Sequence, residues 1–446
     1  MSAEATLRSR NTALARQHLA GTRSFGMPEL GLIANSAIAL GVFLGGFVSF
    51  EPAPYDAYLP FLFFAWVMFG MRIPRSIAPL LFLFTAFCAG GILASFQIAD
   101  REASLVSASL AATRERSDAY IYVAITYFLA LTSVFFACVI AADMGRLRMI
   151  FRAYVVAAVT TSLLGIIGYF GMPGFAMFTR YDRAMGAFQD PNVFGPFLVA
   201  PIIYLLYGLL NRSSALMALR AGAMFFLMLG VFLSFSRAAW GLTVISSMLF
   251  LLLLIINEQR SKIRLKYTVL GIAGVLAVVV MLMIASQFEA ISDILKQRLI
   301  LVQEYDGGNG GRFERHYLGF LLALETPLGV GPLEFGHIIG EDTHNILLKA
   351  LMDYGWLGFL AWIAMTAWTL IGAFKMLFRP RPWQPYLQIA YVLFLGHFLV
   401  GMVIDTDHWR HQFLIIGLIW GSMALEAQWQ NRMKPSLLTQ LSKANP

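Results

Sequence analysis

A chain of 446 residues that is 59% hydrophobic and only 13% charged cannot clothe a soluble globular core in polar surface, and it reads as a membrane protein. Its formal net charge of +8 follows the distribution of basic residues between loops described below, so no nucleic-acid partner is expected. The two cysteines, Cys88 and Cys138, both lie in apolar runs, which argues against a disulfide framework or a thiolate metal site.

Residues 1–28 are polar, carry Arg8, Arg10, Arg16 and Arg23, and contain no apolar core. They predict a cytoplasmic tail rather than a cleaved signal peptide, with the first span serving as its own insertion signal. About twelve apolar runs follow, each near the length of a bilayer-crossing helix: 30–50, 56–71, 76–97, 119–142, 149–170, 192–210, 221–236, 238–257, 267–287, 350–375, 387–404 and 411–428. Only helices or closed barrels satisfy their backbone in lipid, and no alternating ten-residue pattern suggests a barrel. The expectation is an all-α polytopic bundle: nine spans over 29–287, one long outer insertion over 288–343, three more spans over 344–428, and a tail over 429–446.

With the N-terminus inside, the inner loops hold 21 of the 33 Lys and Arg residues but only 5 of the 25 Asp and Glu residues. That bias predicts an inner-membrane protein with both termini cytoplasmic and its long insertion periplasmic.

Ionisable groups cost about 2.5–3.5 kcal/mol at the centre of a span, so those on the outer side are informative. "EPAPYDA", with Glu51 and Asp56, reads as a proline-stiffened turn. "RYDRAMGAFQDPNVFGP" brings Arg180 and Arg183 up to a helix start, where Asp190 is an N-cap acceptor, Pro191 the first helical residue, and Asn192 and Gly195 lie in the first turn. "SFSRAAWG" places Arg237 at a tight bend, where its guanidinium needs carbonyls, lipid phosphate or substrate. In the insertion, Arg312, Arg315 and His316 sit where a glycine run ends. Leu318, Leu321, Leu322 and Leu324 then predict a helix lying on the membrane or plugged into the bundle. Finally, "EDTHNILLKALMDYGWLGF" predicts a helix capped by Asp342 or Thr343, with His344 and Asn345 in its first turn. The positive helix end there favours a neutral imidazole and attracts phosphate. Gly355 and Gly358 allow a bend or a close helix contact. Two helix N-termini and several arginines on one side predict an oxyanion site, with lipid-linked phosphate the natural ligand.

These stretches resemble the O-antigen ligase and O-antigen polymerase family of bacterial inner-membrane glycosyltransferases. The motifs are R-x-x-G-x-x-x-x-P-N-x-x-G from Arg183 to Gly195, S-x-S-R from Ser234 to Arg237, G-R-F-E…P-L-G-V-G from Gly311 to Gly331, and T-H-N-x-x-L…D-Y-G-x-x-G from Thr343 to Gly358. The resemblance spans about residues 150–375. It implies a GT-C-like fold and an inverting transferase that uses no metal or other cofactor. Such an enzyme moves a glycan from undecaprenyl diphosphate to a sugar hydroxyl of a glycan or lipid A–core acceptor on the periplasmic face. Arg183 and Arg237 would hold the diphosphate, His344 would act at the acceptor hydroxyl, and Arg312 matches the basic residue opening the post-insertion helix. Arg180, Arg315, Asn192 and Asn345 complete the expected substrate contacts. Asp353 departs from the pattern, which implies Glu before the glycine.

"DTDHWRH", residues 405–411, reads as a solvated or acceptor-contacting loop rather than a metal site, and His397 as a satisfied helix–helix contact at bilayer depth. The reading is a surface-polysaccharide polymerase, with an O-antigen ligase as the alternative. A membrane transporter, from another class, is disfavoured because the polar groups cluster at one surface rather than the midplane.

Overall fold

The computed structural model describes residues 28–98, 116–211, 216–287 and 311–444. The N-terminal tail with its four arginines, and residues 288–310 of the insertion, lie outside the described residues. Within them, each predicted apolar run is helical. In chain order these helices are α1 (Pro28–Leu44), α2 (Pro54–Met68), α3 (Ala78–Ser95), α4 (Arg116–Ala142), α5 (Gly145–Tyr169), α6 (Pro191–Asn211), α7 (Met217–Leu233), α8 (Arg237–Asn257) and α9 (Ser261–Ala285). The insertion contributes α10 (Arg312–Glu325) and the short α11 (Glu334–Ile339), followed by α12 (Ile346–Phe374), α13 (Gln384–Val400) and α14 (Arg410–Ala444). A two-residue antiparallel ladder, β1 (Thr179–Arg180) with β2 (Arg183–Ala184), joins α5 to α6. Among the described residues, six helices are long and apolar enough to cross a membrane: α3, α4, α5, α6, α8, and α12 with its 3-10 extension to Phe378. Three shorter apolar helices lie over Leu30–Leu44, Met217–Leu233 and Gln384–Val400.

In lipid, helices associate through close packing more than through the hydrophobic effect, so small residues mark the tight contacts. A Cβ on Gly90 of α3 would lie 2.4 Å from the Tyr354 carbonyl oxygen and 2.8 Å from the Gly358 nitrogen of α12. On α14, a Cβ on Gly417 would lie 2.8 Å from the Ser133 carbonyl oxygen of α4, and one on Gly421 2.7 Å from Ile140. The two pairs α3–α12 and α4–α14 are thereby fixed at backbone distance, and Phe87 stacks on Tyr354 across the first.

The span from 350 bends at Gly355, one of the two glycines expected to allow it. Gly355 has φ 63° and ψ −173° inside α12. The gap in the ladder is filled by the P-L-G-V-G loop: Val330 N donates to Met352 O at 2.7 Å, and Trp356 N donates to Pro327 O at 3.0 Å. A Cβ on Gly355 would lie 2.7 Å from the Leu328 carbonyl. Gly355→Ala is therefore expected to destabilise the protein by about 2 kcal/mol or more, since it adds a left-handed penalty and a backbone clash together. A thermal midpoint unchanged in detergent would contradict this account of the kink.

Alternate connections meet at one end of the bundle. Val48 N donates to Ala187 O at 2.6 Å, Arg183 reaches Ser234, Ile346 N donates to Gly401 O at 2.7 Å, and Arg410 pairs with Asp56. The other end gathers basic side chains: Arg146 on Asn35, and Arg379 and Arg381 on the fully buried Glu426 at 2.7 and 3.0 Å.

Candidate functional site

The first cluster grows from the β1–β2 turn. Tyr181 and Asp182 both take positive φ, 54° and 55°, the geometry of a two-residue hairpin loop that twists with its strands. The turn delivers Arg183 into the protein, where it is 6% exposed. Its Nε donates to Ser234 O at 2.7 Å and its Nη2 to Asn192 Oδ1 at 2.8 Å. Asp190 caps α6 as expected, accepting from Asn192 N at 2.7 Å, with Pro191 first in the helix. A Cβ on Gly195 would lie 2.5 Å from Ala239 Cβ and 2.8 Å from Ser234 Oγ, so α6 and the α7–α8 turn close on each other. Phe235 in that turn has φ 45°, Ser236 is the N-cap, and the half-buried Arg237 opens α8. The first two motifs are thus one structural unit, with Arg183 as its brace. Arg180 is exposed and donates to Gln189 O at 3.0 Å and to Tyr181 Oη at 3.1 Å.

The second cluster forms where α12 begins, and it corrects the local reading. Asn345, not Asp342 or Thr343, is the N-cap: its Oδ1 accepts from Leu347 N and Leu348 N at 3.0 and 3.2 Å. His344 precedes the helix with φ 49° instead of lying in its first turn. Its Nδ1 is 3.1 Å from Asp405 Oδ2 and its Nε2 3.2 Å from Glu341 Oε1. Glu341 also pairs with the buried Arg315 of α10, and His316 Nε2 bonds Thr343 O at 2.8 Å. The expectation of an imidazole biased to neutrality is overturned as well. The Asp405 hydrogen bond raises the His344 pKa above the ordinary imidazole value; burial opposes it, and the charges of Asp405 and Glu341 add to it. Two carboxylates at hydrogen-bond distance outweigh a helix end that His344 does not join. His316 moves the other way, lowered by burial and by Arg312, Arg315 and His344 despite its bond to Thr343. The His344 side chain remains 31% exposed, so the imidazole can be reached from outside.

Beneath His344 the polarity is internally paired. Lys349 Nζ is 3.0 Å from Asp353 Oδ2 and 3.7 Å from Asp342 Oδ2, and it lies 5.4 Å from the Tyr122 ring centroid. Asp353, where the family pattern has Glu, is long enough for this one-turn contact. Tyr122 Oη donates to Asp407 Oδ2 at 2.6 Å, and His408 Nδ1 is 3.1 Å from the same oxygen. Burial works to raise the Asp407 pKa, but His408, Lys349 and Tyr122 hold it well below the carboxylate range. Asp407 therefore anchors the 401–409 loop that presents Asp405.

Of the residues singled out from sequence, contacts join Arg183 with Asn192, and Arg315 with His344 through Glu341. Asn345 ties the α12 cap to the 401–409 loop, donating from Nδ2 to Met402 O at 3.1 Å. Arg180 is turned toward Gln189 and Tyr181 rather than into either cluster. Arg312 opens α10, half-buried, and Leu318, Leu321 and Leu324 of that helix face away from the bundle while Arg315, Gly319 and Ala323 face in. The orientation suits a helix lying on the membrane and disagrees with one plugged by its leucines. The two clusters share one end of the bundle: Phe197 of α6 meets the His411 ring edge-on at 5.7 Å, and His411 stacks on Trp409 of the loop carrying Asp405. Asp56 is committed to Arg410 Nε at 3.0 Å and to Ala53 N at 2.9 Å, in keeping with the structural turn read there. His397 makes the expected contact with another helix, bonding Gln412 through Nδ1 at 2.6 Å, but it is satisfied on that side alone, since its buried Nε2 meets no partner among the described residues.

The sequence singled out the 405–411 loop but not the contact of Asp405 with His344, and it did not single out Glu341. Glu341 stood three residues from His344 and was a legible partner. Asp405 lies 61 residues away in sequence, a separation that no periodicity can bridge.

No curated protein matches the chain. Residues 222–363 match the family model described as O-Antigen ligase. The matched segment, about a third of the chain, holds the S-x-S-R turn, the G-R-F-E…P-L-G-V-G stretch and the T-H-N…D-Y-G-x-x-G helix start, and over it the chain is similar to that family.

Proposed function

We propose that the protein is an inverting glycosyltransferase that needs no metal, moving glycan from an undecaprenyl-diphosphate-linked donor to a sugar hydroxyl on the periplasmic face of the inner membrane. The observation that carries this reading is His344, exposed and held between Asp405 and Glu341, at the bundle end where the arginine-bearing turns of α6, α8 and α10 also open. Breaking a glycosyl–phosphate bond builds negative charge on the departing diphosphate. Arg237 and Arg312 at helix starts, with the amide ends of α6 and α8, are the groups that would stabilise that charge. His344 takes the acceptor proton as the glycosidic bond forms, and Asp405 stabilises the imidazolium produced. Asp405 accepts from Nδ1, so the acceptor hydroxyl takes the place of Glu341 at Nε2 while Arg315 holds the displaced carboxylate; Arg183 and Asn192 keep the first cluster in register.

The activity we favour is polymerisation, in which donor and acceptor both remain lipid-linked. Purified protein given only lipid-diphosphate-linked repeat units is then expected to lengthen them, as read on a glycan ladder. Transfer that appears only when lipid A–core is supplied would instead assign the ligase activity.

A further inference from the structure

The basic end of the bundle, opposite the two clusters, carries a feature that the transfer reaction does not use. Helices α1 and α5 leave a groove of about 320 Å³ between them, with Ala39 on one wall and Arg148, Met149, Arg152, Ala153 and Val156 on the other. The α5 residues recur at three- and four-residue spacing and so form one stripe along the helix. Arg148 and Arg152 are one turn apart, a like-charge arrangement that disfavours the helix unless an anion lies between them. Arg148 is steadied by its Nε donating to Tyr386 Oη at 3.3 Å. Arg152 is exposed and makes no hydrogen bond or ion pair with any described residue.

Its depth makes that isolation informative. Arg152 lies seven residues in from Gly145, the first residue of α5, or about 10 Å along the axis. A 25-residue helix is about 37 Å long against a hydrocarbon core of about 30 Å, which puts Arg152 a few ångströms inside the hydrocarbon boundary, within reach of the headgroups by its long side chain. A guanidinium at that level requires a counter-charge. The neighbouring carboxylate is Asp143, which is turned to accept from Gly145 N at 2.8 Å. Beyond the arginines the groove is apolar, and Val156 is 56% exposed on the outer face of the helix.

We infer that this groove binds an anionic phospholipid, its phosphate between Arg148 and Arg152 and an acyl chain along Met149, Ala153, Val156 and Ala39. Charge complementarity sets the anionic headgroup, and the continuous apolar wall selects a lipid over a soluble anion. The test is native mass spectrometry of the full chain released from phosphatidylcholine micelles titrated with phosphatidylglycerol. Wild type is expected to retain phosphatidylglycerol selectively. Arg148→Gln/Arg152→Gln should weaken that retention about thirtyfold, the weight of two cationic contacts. Arg72→Gln/Arg75→Gln, which removes two exposed arginines from another loop at the same end, should leave it unchanged. Equal retention by the groove variant, equal loss in the Arg72/Arg75 variant, or displacement of the lipid by equimolar inorganic phosphate would each overturn the proposal. An unchanged thermal midpoint of the groove variant in lipid-free detergent separates lost binding from lost fold.

Discussion

Replacing His344 with alanine is expected to reduce glycan transfer by at least about 10²-fold while the protein still inserts and unfolds at its wild-type temperature. Removing a proton acceptor from the transition state costs rate. The ring is surface-reachable, 31% exposed, and its contacts are polar ones to Asp405 and Glu341 that water can replace. The pH profile carries the sharper half of this prediction. Because Asp405 and Glu341 raise the His344 pKa, the imidazole is protonated, and unable to accept a proton, up to a pH above its ordinary titration point. Transfer should therefore fall as pH drops through that raised value, and Asp405→Asn should move the acidic limb to lower pH while lowering the maximal rate. A profile whose acidic limb stays in place in Asp405→Asn would remove Asp405 from the mechanism. Wild-type turnover in His344→Ala would remove His344.

Arg183→Ala is expected to do something different, because Arg183 is a brace before it is a ligand. Deleting it leaves Ser234 O and Asn192 Oδ1 without their charged donor inside the protein, a loss of about 3 kcal/mol. Both transfer and thermal midpoint should drop, and Arg183→Lys should restore little, since one ammonium cannot span the two acceptors as the guanidinium fork does. Arg237→Ala, half-buried at the start of α8, should lose transfer with a smaller drop in midpoint than Arg183→Ala. Fluorescence-detected unfolding alongside the transfer assay distinguishes the two. If Arg183→Ala lost transfer at an unchanged midpoint, its role would lie with the substrate and not with the α6–α8 junction.

The difference between these two arginines was not legible in the motifs, which present both as cations near a helix start. Local chemistry was legible where it depends on neighbours in the chain. Asp190 and Pro191 open α6 because an acceptor followed by a residue without an amide hydrogen is a start signal wherever it occurs. Asn345 shows the limit of that logic. Asp342, Thr343 and Asn345 all have the chemistry of a cap, and the choice fell to Asn345 because Gly401 O accepts from Ile346 N and Met402 O from its own Nδ2. A contact with a loop more than fifty residues away selected the first residue of the helix. That shift of two or three residues moved His344 out of the helix, away from the field that would have kept it neutral, and between two carboxylates.

What the sequence by itself determined is the helical, membrane-type architecture and the clustering of charges in the connections between its spans. Both follow from run length, hydropathy and the cost of charge in lipid, which act on each segment separately. The family likeness was also present in short local motifs, three of which fall within the matched residues 222–363. The tertiary structure alone decided which polar groups meet. It set the kink at Gly355 around a loop from the insertion, turned Arg183 inward as a strut, and brought Asp405 to His344. Hydrogen bonds and ion pairs act only over a few ångströms, so partners distant in the chain become visible only when packing brings them together.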